Sequence, residues 1–276
     1  MTTEIILMWA AVTGYVISTA LFVLGVSLER DLLVRLGVWA AGAGLSLHFA
    51  ALAVRWVRIG HGPMRGYYEM MSSLCFLAIL MFLGLVWRYP KTAPVGIVIM
   101  PVSMLLVAAA MMAPKGGLEI TSTLASYWLV IHVIFAKLGA GTLMISFALA
   151  GAYLLRARGV KGPWGRSLDR LPSQEIVDHL SSRFVFAGFI FWGVMIASGA
   201  IWANEAWGRY WSWDPIETWS LVAWLVYAVY LHLRLTMGWS GKRISWVAII
   251  ALPVILFCLA GIPIVYDTVH SGYLAW

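Results

Sequence analysis

The residues with the clearest chemical potential sit in one stretch, Trp202-Ala203-Asn204-Glu205-Ala206-Trp207-Gly208-Arg209-Tyr210-Trp211-Ser212-Trp213-Asp214-Pro215-Ile216-Glu217-Thr218-Trp219. With Trp224 it gathers six of the chain's 16 tryptophans into 23 residues, several times what uniform spacing would place there. An aromatic surface of this density can hold a large, flat, apolar molecule with a polar edge. Two histidines flank it in sequence, His132 and His270. That combination suits haem, whose iron takes axial imidazoles and whose macrocycle needs an apolar slot. Arg209, inside the stretch, offers a cation to a haem carboxylate. The competing reading is an interfacial belt, since Trp favours the headgroup level of a bilayer. A belt would spread its tryptophans over many span ends and both faces, so one dense segment between two histidines favours the ligand platform.

Other residues carry weaker signals. Asp214-Pro215-Ile216-Glu217 reads as a helix start: an N-cap Asp, Pro at the first helical position, and a Glu completing a capping-box pair. Such a cap would fix the entry angle of the Trp platform. His232 falls towards the end of one apolar run and His48 near the middle of another. An ionisable residue in a span is a functional candidate, yet a lone buried His is more often a neutral, hydrogen-bonded core residue, and both readings stand. Lys137 lies one to two turns below His132; an acidic partner, a haem carboxylate or snorkelling to the interface would each accommodate it. His61 and His179 read as solvated loop residues. Cys75 and Cys258 lie in apolar runs with no CxxC or CxxCH, which excludes a thiol-redox motif and a covalent haem site within the chain itself and makes both buried thiols. Around Arg55-Trp56 and Gly60-His61-Gly62-Pro63, Gly and Pro mark a turn, and the spacing alone implies no chemistry.

The elements that must position these residues are membrane spans. The 276 residues are 62% hydrophobic and 11% charged, against about half apolar and a quarter charged in soluble domains. A bilayer span takes about 20 mostly apolar residues. Eight such runs are predicted, at 5–27, 36–57, 70–88, 94–113, 125–155, 183–203, 217–236 and 244–266. They are continuous rather than alternating, so they are helices. The fold class is therefore all-α: one polytopic transmembrane helix bundle over 1–276, of about eight spans. The first run is too long for a cleaved signal peptide. Segments 28–35, 88–93, 156–183 and 234–243 hold 13 of the 19 Lys and Arg, against five in the opposite set. Positive loops stay inside, which places both termini and the Trp-rich segment 202–224 on the outer, periplasmic face. The cytoplasmic loop 156–183 is the largest soluble piece. Its second half, Ser173 to Arg183, reads as a short amphipathic helix capped by Ser173, with Ile176, Val177 and Leu180 on one side. The net charge of +7 is not organised into a basic and aromatic stripe outside the membrane, so no nucleic-acid partner is expected.

The run from Gly199-Ala200-Ile201-Trp202-Ala203 through Trp207 and Trp219 to Tyr227-Ala228-Val229-Tyr230-Leu231-His232 closely resembles the WWD signature of the CcsA/ResC family, the haem-handling membrane proteins of system II cytochrome c biogenesis. Arg55-Trp56 with Gly60-His61-Gly62-Pro63 and Tyr68-Glu69, Ser126-Tyr127-Trp128-Leu129 with Ile131-His132-Val133, and His270-Ser271-Gly272-Tyr273 fit the same family, so the resemblance spans nearly the whole chain. The related CcmC and CcmF proteins also carry WWD segments, but the WDP-x-E-x-W form and the eight-span layout fit CcsA better. The resemblance implies that His132 and His270 are axial ligands of a haem on the outer face. Trp207, Arg209, Trp211, Trp213, Asp214 and Trp219 would belong to the surrounding segment. His232 would ligate a haem within the bilayer, with its partner ligand on a separate CcsB/ResB-type subunit. His48 joins the candidate set without a role that the resemblance settles. One departure is Ile216, where the family often has Lys.

The expected function is that of a haem-handling subunit of cytochrome c synthase in a bacterial inner membrane. It would take haem b as its substrate and apocytochrome c as its partner, and attach haem to a CxxCH peptide through thioethers. A haem exporter and a b-type membrane electron-transfer subunit are the alternatives. Two of the expected ligands lie outside the spans, which counts against the second.

Overall fold

The computed structural model describes residues 2–62, 66–113, 126–266 and 268. Ten α-helices follow one another, with no strand among the described residues: α1 (Thr2–Ser27), α2 (Asp31–Ile59), α3 (Tyr67–Arg88), α4 (Gly96–Met112), α5 (Tyr127–Ala157), α6 (Gly162–Asp169), α7 (Gln174–Trp207), α8 (Pro215–Leu235), α9 (Lys242–Leu256) and α10 (Ile262–Val265). A 3₁₀ segment, Pro90–Val95, leads into α4, and a π-helical turn, Phe257–Gly261, joins α9 to α10. Eight of the helical stretches are long and apolar enough to cross a membrane. This is the expected all-α, polytopic bundle of eight spans. A lipid environment selects it because each helix satisfies its own backbone hydrogen bonds.

The boundaries differ from expectation at the sixth span. Ser173 does cap a helix, its hydroxyl accepting from the Ile176 N–H at 3.3 Å. That helix does not stop near Arg183 but runs unbroken to Trp207 as α7. No proline interrupts the 34 residues, so the polar turn at 174–183 simply continues into the apolar run. Val177 and Leu180 are buried while Ile176 is exposed. The first half of the same loop holds α6, a two-turn helix opened by Pro163. Its Arg166, and Arg170 just after it, pair with Glu29 in the α1–α2 connection and with Asp31 at the start of α2, and the Arg166 guanidinium holds the Glu29 carboxyl below the ordinary carboxylate range.

Successive spans alternate in direction, which gives the bundle two chemically different ends. One end carries the last turns of α2 and α4, the first turns of α3 and α5, and the tryptophan-rich α7–α8 connection. The other carries the basic connections. At the basic end Asp178 on α7 accepts from Arg234 at 2.7 Å and from the Gly241 N–H at 3.2 Å, fixing the α8–α9 turn against α7. α5 is the most buried span and packs against α3, α7 and α9. At the tryptophan-rich end, three helix termini are joined by buried charge. Arg55 on α2 donates to Glu69 on α3 at 2.9 Å and to Glu4 on α1 at 3.0 Å, while Arg58 reaches the other Glu4 oxygen at 2.6 Å. Arg55 also lies over the Tyr68 ring, 4.7 Å from its centroid. Cys75 and Cys258 are free and buried, as expected.

Candidate functional site

At the tryptophan-rich end, α3, α5, α7, the α7–α8 connection, α8 and the π turn converge on a cleft of about 1170 Å³, counting its open mouth. α3 contributes Met70 and Met71, and α5 contributes Leu129, His132, Val133 and Ala136. α7 gives Trp192, Met195, Gly199, Ala203 and Trp207, and the connection gives Tyr210 and Trp211. Ile216, Glu217 and Ser220 of α8 and Cys258 of the π turn complete the wall. The surface is apolar and aromatic, with few polar atoms.

Among the described residues, His132 is the one histidine on this wall. Its Nδ1 lies 2.8 Å from the backbone carbonyl of Met195 on α7. A carbonyl only accepts, so Nδ1 carries the proton and the lone pair of the neutral ring sits on Nε2. Metal-binding histidines are prepared in this way: a hydrogen bond at one nitrogen fixes the tautomer and the ring orientation for ligation at the other. The ring also stacks on Trp202, with centroids 6.3 Å apart and planes at 26°, and Trp202 meets Trp207 edge to face at 4.9 Å. Among the described residues no three His, Cys, Asp or Glu side chains cluster as a metal site. The cleft offers one imidazole among the described residues, set in an apolar slot.

The close approach of α5 and α7 requires a glycine. A Cβ built on Gly199 would lie 2.5 Å from His132 Nδ1. Gly199→Ala is therefore expected to push the imidazole off the Met195 carbonyl while leaving both helices intact. Under the expectation from sequence that His132 is a haem ligand, haem retained by purified protein should fall roughly tenfold, the lower edge of the loss seen when a ligand's orienting partner is removed. Unchanged retention would show that the ring tolerates the displacement.

The α7–α8 connection is shaped by two caps. α7 ends at Gly208, whose φ of 72° lets its N–H close back on the Asn204 carbonyl. α8 begins with the capping box expected from sequence: Asp214 accepts from the Ile216 N–H at 3.0 Å, and Glu217 accepts from the Asp214 N–H at 3.3 Å. Glu217 also takes the Ser212 N–H at 2.8 Å, so one carboxylate ties the connection to the helix while lining the cleft. Trp213 adopts a positive φ of 60° and turns outward, 71% exposed, edge to face with Trp211.

Of the candidate residues, the structure brings His132, Trp207 and Trp211 together on the cleft wall. Asp214 stands behind it as the cap of α8. Trp219 packs on Phe257 of the π turn rather than into the cleft, and Arg209 and Trp213 are exposed in the connection. His48 lies elsewhere in the core, with Nδ1 3.0 Å from the Tyr15 hydroxyl and Nε2 2.9 Å from the Ser72 hydroxyl. His232 is exposed in the last turn of α8, at the opposite end of the bundle from the cleft. His270 lies outside the described residues. Met70, Met71, Trp192 and Met195 are wall residues with no local sequence signal. Ile216 faces the cleft, so the departure from the family's usual Lys falls on the wall itself.

A family model described as cytochrome C assembly protein matches residues 64–270. The chain belongs to the cytochrome c assembly protein family. The cytochrome c biogenesis protein CcsA of Parasynechococcus marenigrum (strain WH8102) is 38% identical over 248 residues, covering 80% of each chain. That of Gloeobacter violaceus (strain ATCC 29082 / PCC 7421) is 30% identical over 328 residues, covering 99% of this chain and 97% of its own. Among solved structures, the cytochrome c haem lyase CcmF superposes with a TM-score of 0.65 at 17% identity, covering 94% of this chain and 49% of that one. At that identity the likeness is one of fold, and this chain spans about half the lyase's length. The stretch shared with the cytochrome c assembly family model contains all of the cleft wall.

Proposed function

We propose that this multi-pass membrane protein holds haem b as a substrate in the cleft at its tryptophan-rich end and presents it there for covalent attachment to apocytochrome c. The observation that carries this reading is the Met195 carbonyl 2.8 Å from His132 Nδ1, which fixes the tautomer of an imidazole that lines an apolar, aromatic-walled slot. His270, which the family model also covers, is the proposed second axial ligand. The excess of Lys and Arg in the opposite connections supports assigning this end to the outer face of a bacterial inner membrane.

The chemistry asks for few acid or base groups. Each CxxCH thiol adds across one haem vinyl group: a C–S bond forms, the thiol proton ends on the vinyl's other carbon, and nothing leaves. Holding peptide and haem in one geometry can then supply most of the rate gain, which is the work of a wall built on four helices and the π turn. His232 projects from the exposed side of α8, where a ligand from a separate CcsB/ResB-type subunit would complete a second haem site.

Co-purifying the chain with such a partner and adding haem and a CxxCH peptide tests the assignment. The expected product is haem that stays with the peptide after denaturation. Haem that binds and cycles between oxidation states, yet is never attached, would overturn the reading in favour of electron transfer.

A further inference from the structure

A second cleft lies at the basic end and has no part in the chemistry above. The 3₁₀ segment before α4, the second half of α5, α6 and α9 enclose about 610 Å³, counting its open mouth. Its wall is nearly all carbon, with Val95, Phe147, Trp164, Leu168 and Ile249 among the larger contributors. Among the described residues no His, Met, Cys, Tyr or Lys lines it, in contrast to the cleft around His132. An apolar cavity of this kind does not hold water favourably, and around a membrane bundle the apolar matter at hand is an acyl chain.

The space is kept open by specific packing. Gly151 on α5 lies on the wall, and a Cβ there would touch only Ile249 Cδ1, at 3.8 Å. α6 roofs the cleft with Trp164 and Leu168, while Arg166 and Arg170 on its other side hold it to Glu29 and Asp31. A Cβ on Gly165 would fall 1.9 Å from the Val160 carbonyl, so the roof is locked in place by backbone contact.

Charge selects the headgroup. The carboxylates of this roof are already engaged: Glu29 with Arg166, Asp31 with Arg170, and Asp169 with Arg156. Lys91, three residues before Pro94 of the wall, and Lys161, three before Trp164, are exposed. Neither forms an ion pair among the described residues. We propose that this cleft binds one anionic phospholipid, with an acyl chain between α5, α6 and α9 and its phosphate at Lys91 and Lys161. Each lysine near a membrane surface favours an anionic headgroup by about fivefold.

The test uses the full chain, loaded with phosphatidylglycerol or phosphatidylcholine in detergent and read by native mass spectrometry. One phosphatidylglycerol per chain should survive, preferred over phosphatidylcholine by roughly 10–30-fold. Gly151→Leu should remove the bound lipid by filling the space, and Gly151→Ala, which makes only ordinary contact, should weaken it without disturbing the fold. Lys91→Gln with Lys161→Gln should keep a lipid but abolish the headgroup preference. Equal retention of both lipids by the unmodified chain, or undiminished phosphatidylglycerol in both Gly151 variants, would overturn the proposal. Because haem is not read, failure here leaves the haem assignment untouched, and the converse holds.

Discussion

His132→Ala is expected to lower the yield of c-type cytochrome by at least about 100-fold, in cells where this chain and its partner are the only assembly route. Removing a mere orienting partner of a metal ligand costs about 10–100-fold, and the ligand itself should cost at least the top of that range. The fold should survive. The Met195 carbonyl that loses the imidazole N–H keeps the Ser198 hydroxyl at 3.1 Å, so no buried acceptor is orphaned and the large penalty of an unmade hydrogen bond does not arise. The change leaves a cavity beside Trp202 of imidazole shape. Exogenous imidazole is therefore expected to restore the haem spectrum of His132→Ala in part, which a purely structural role would not allow. Normal cytochrome yield from the variant would remove His132 from the mechanism, and so would haem retention indistinguishable from the unmodified chain.

The parts of this arrangement that were legible from sequence are those with local signatures. Eight apolar runs mark eight spans because each helix must satisfy its backbone alone. Asp214 and Glu217 announce the start of α8 because a capping box is contained within four residues. The break expected near Arg183 was not legible for the converse reason. Glu175, Asp178, His179 and Arg183 look like loop composition, yet Asp178 is buried against Arg234 and the Gly241 N–H, and the helix has no breaker to end it. The cleft wall is less visible still. Met70 and Met71 come from α3 and Trp192 from α7, more than 100 residues apart in sequence, and they meet only because both helices pack on α5. Gly199 reads as one more small residue in a span, and only the 2.5 Å approach of His132 gives it a task. Trp213 shows the opposite limit: it belongs to the same dense motif as Trp211, but a single positive φ turns it away from the wall.

The buried charge at the tryptophan-rich end leads to the other large effect. Arg55 is 2% exposed and its two carboxylate partners, Glu69 and Glu4, are 1% and 3% exposed. Its fork spans three helices, which a lysine could not do with one point charge. Arg55→Met takes these contacts from both carboxylates at once without giving them water in exchange. Breaking a buried pair by removing one partner costs about 3–5 kcal/mol, so thermal unfolding of the detergent-solubilised protein should shift down sharply. Arg58→Met is the control. Arg58 also pairs with Glu4, but its own side chain is 34% exposed and Glu4 keeps Arg55 when Arg58 is lost, so this change should cost less than Arg55→Met. Arg55→Lys should fall between the two. The consequence reaches the cleft, because Glu69 immediately precedes Met70 and Met71 on its wall. Freeing the start of α3 should loosen haem retention along with stability, whereas Arg58→Met should leave both near normal. If Arg55→Met and Arg58→Met proved equally mild, the network would be ornament rather than the clamp that sets α3 against the cleft.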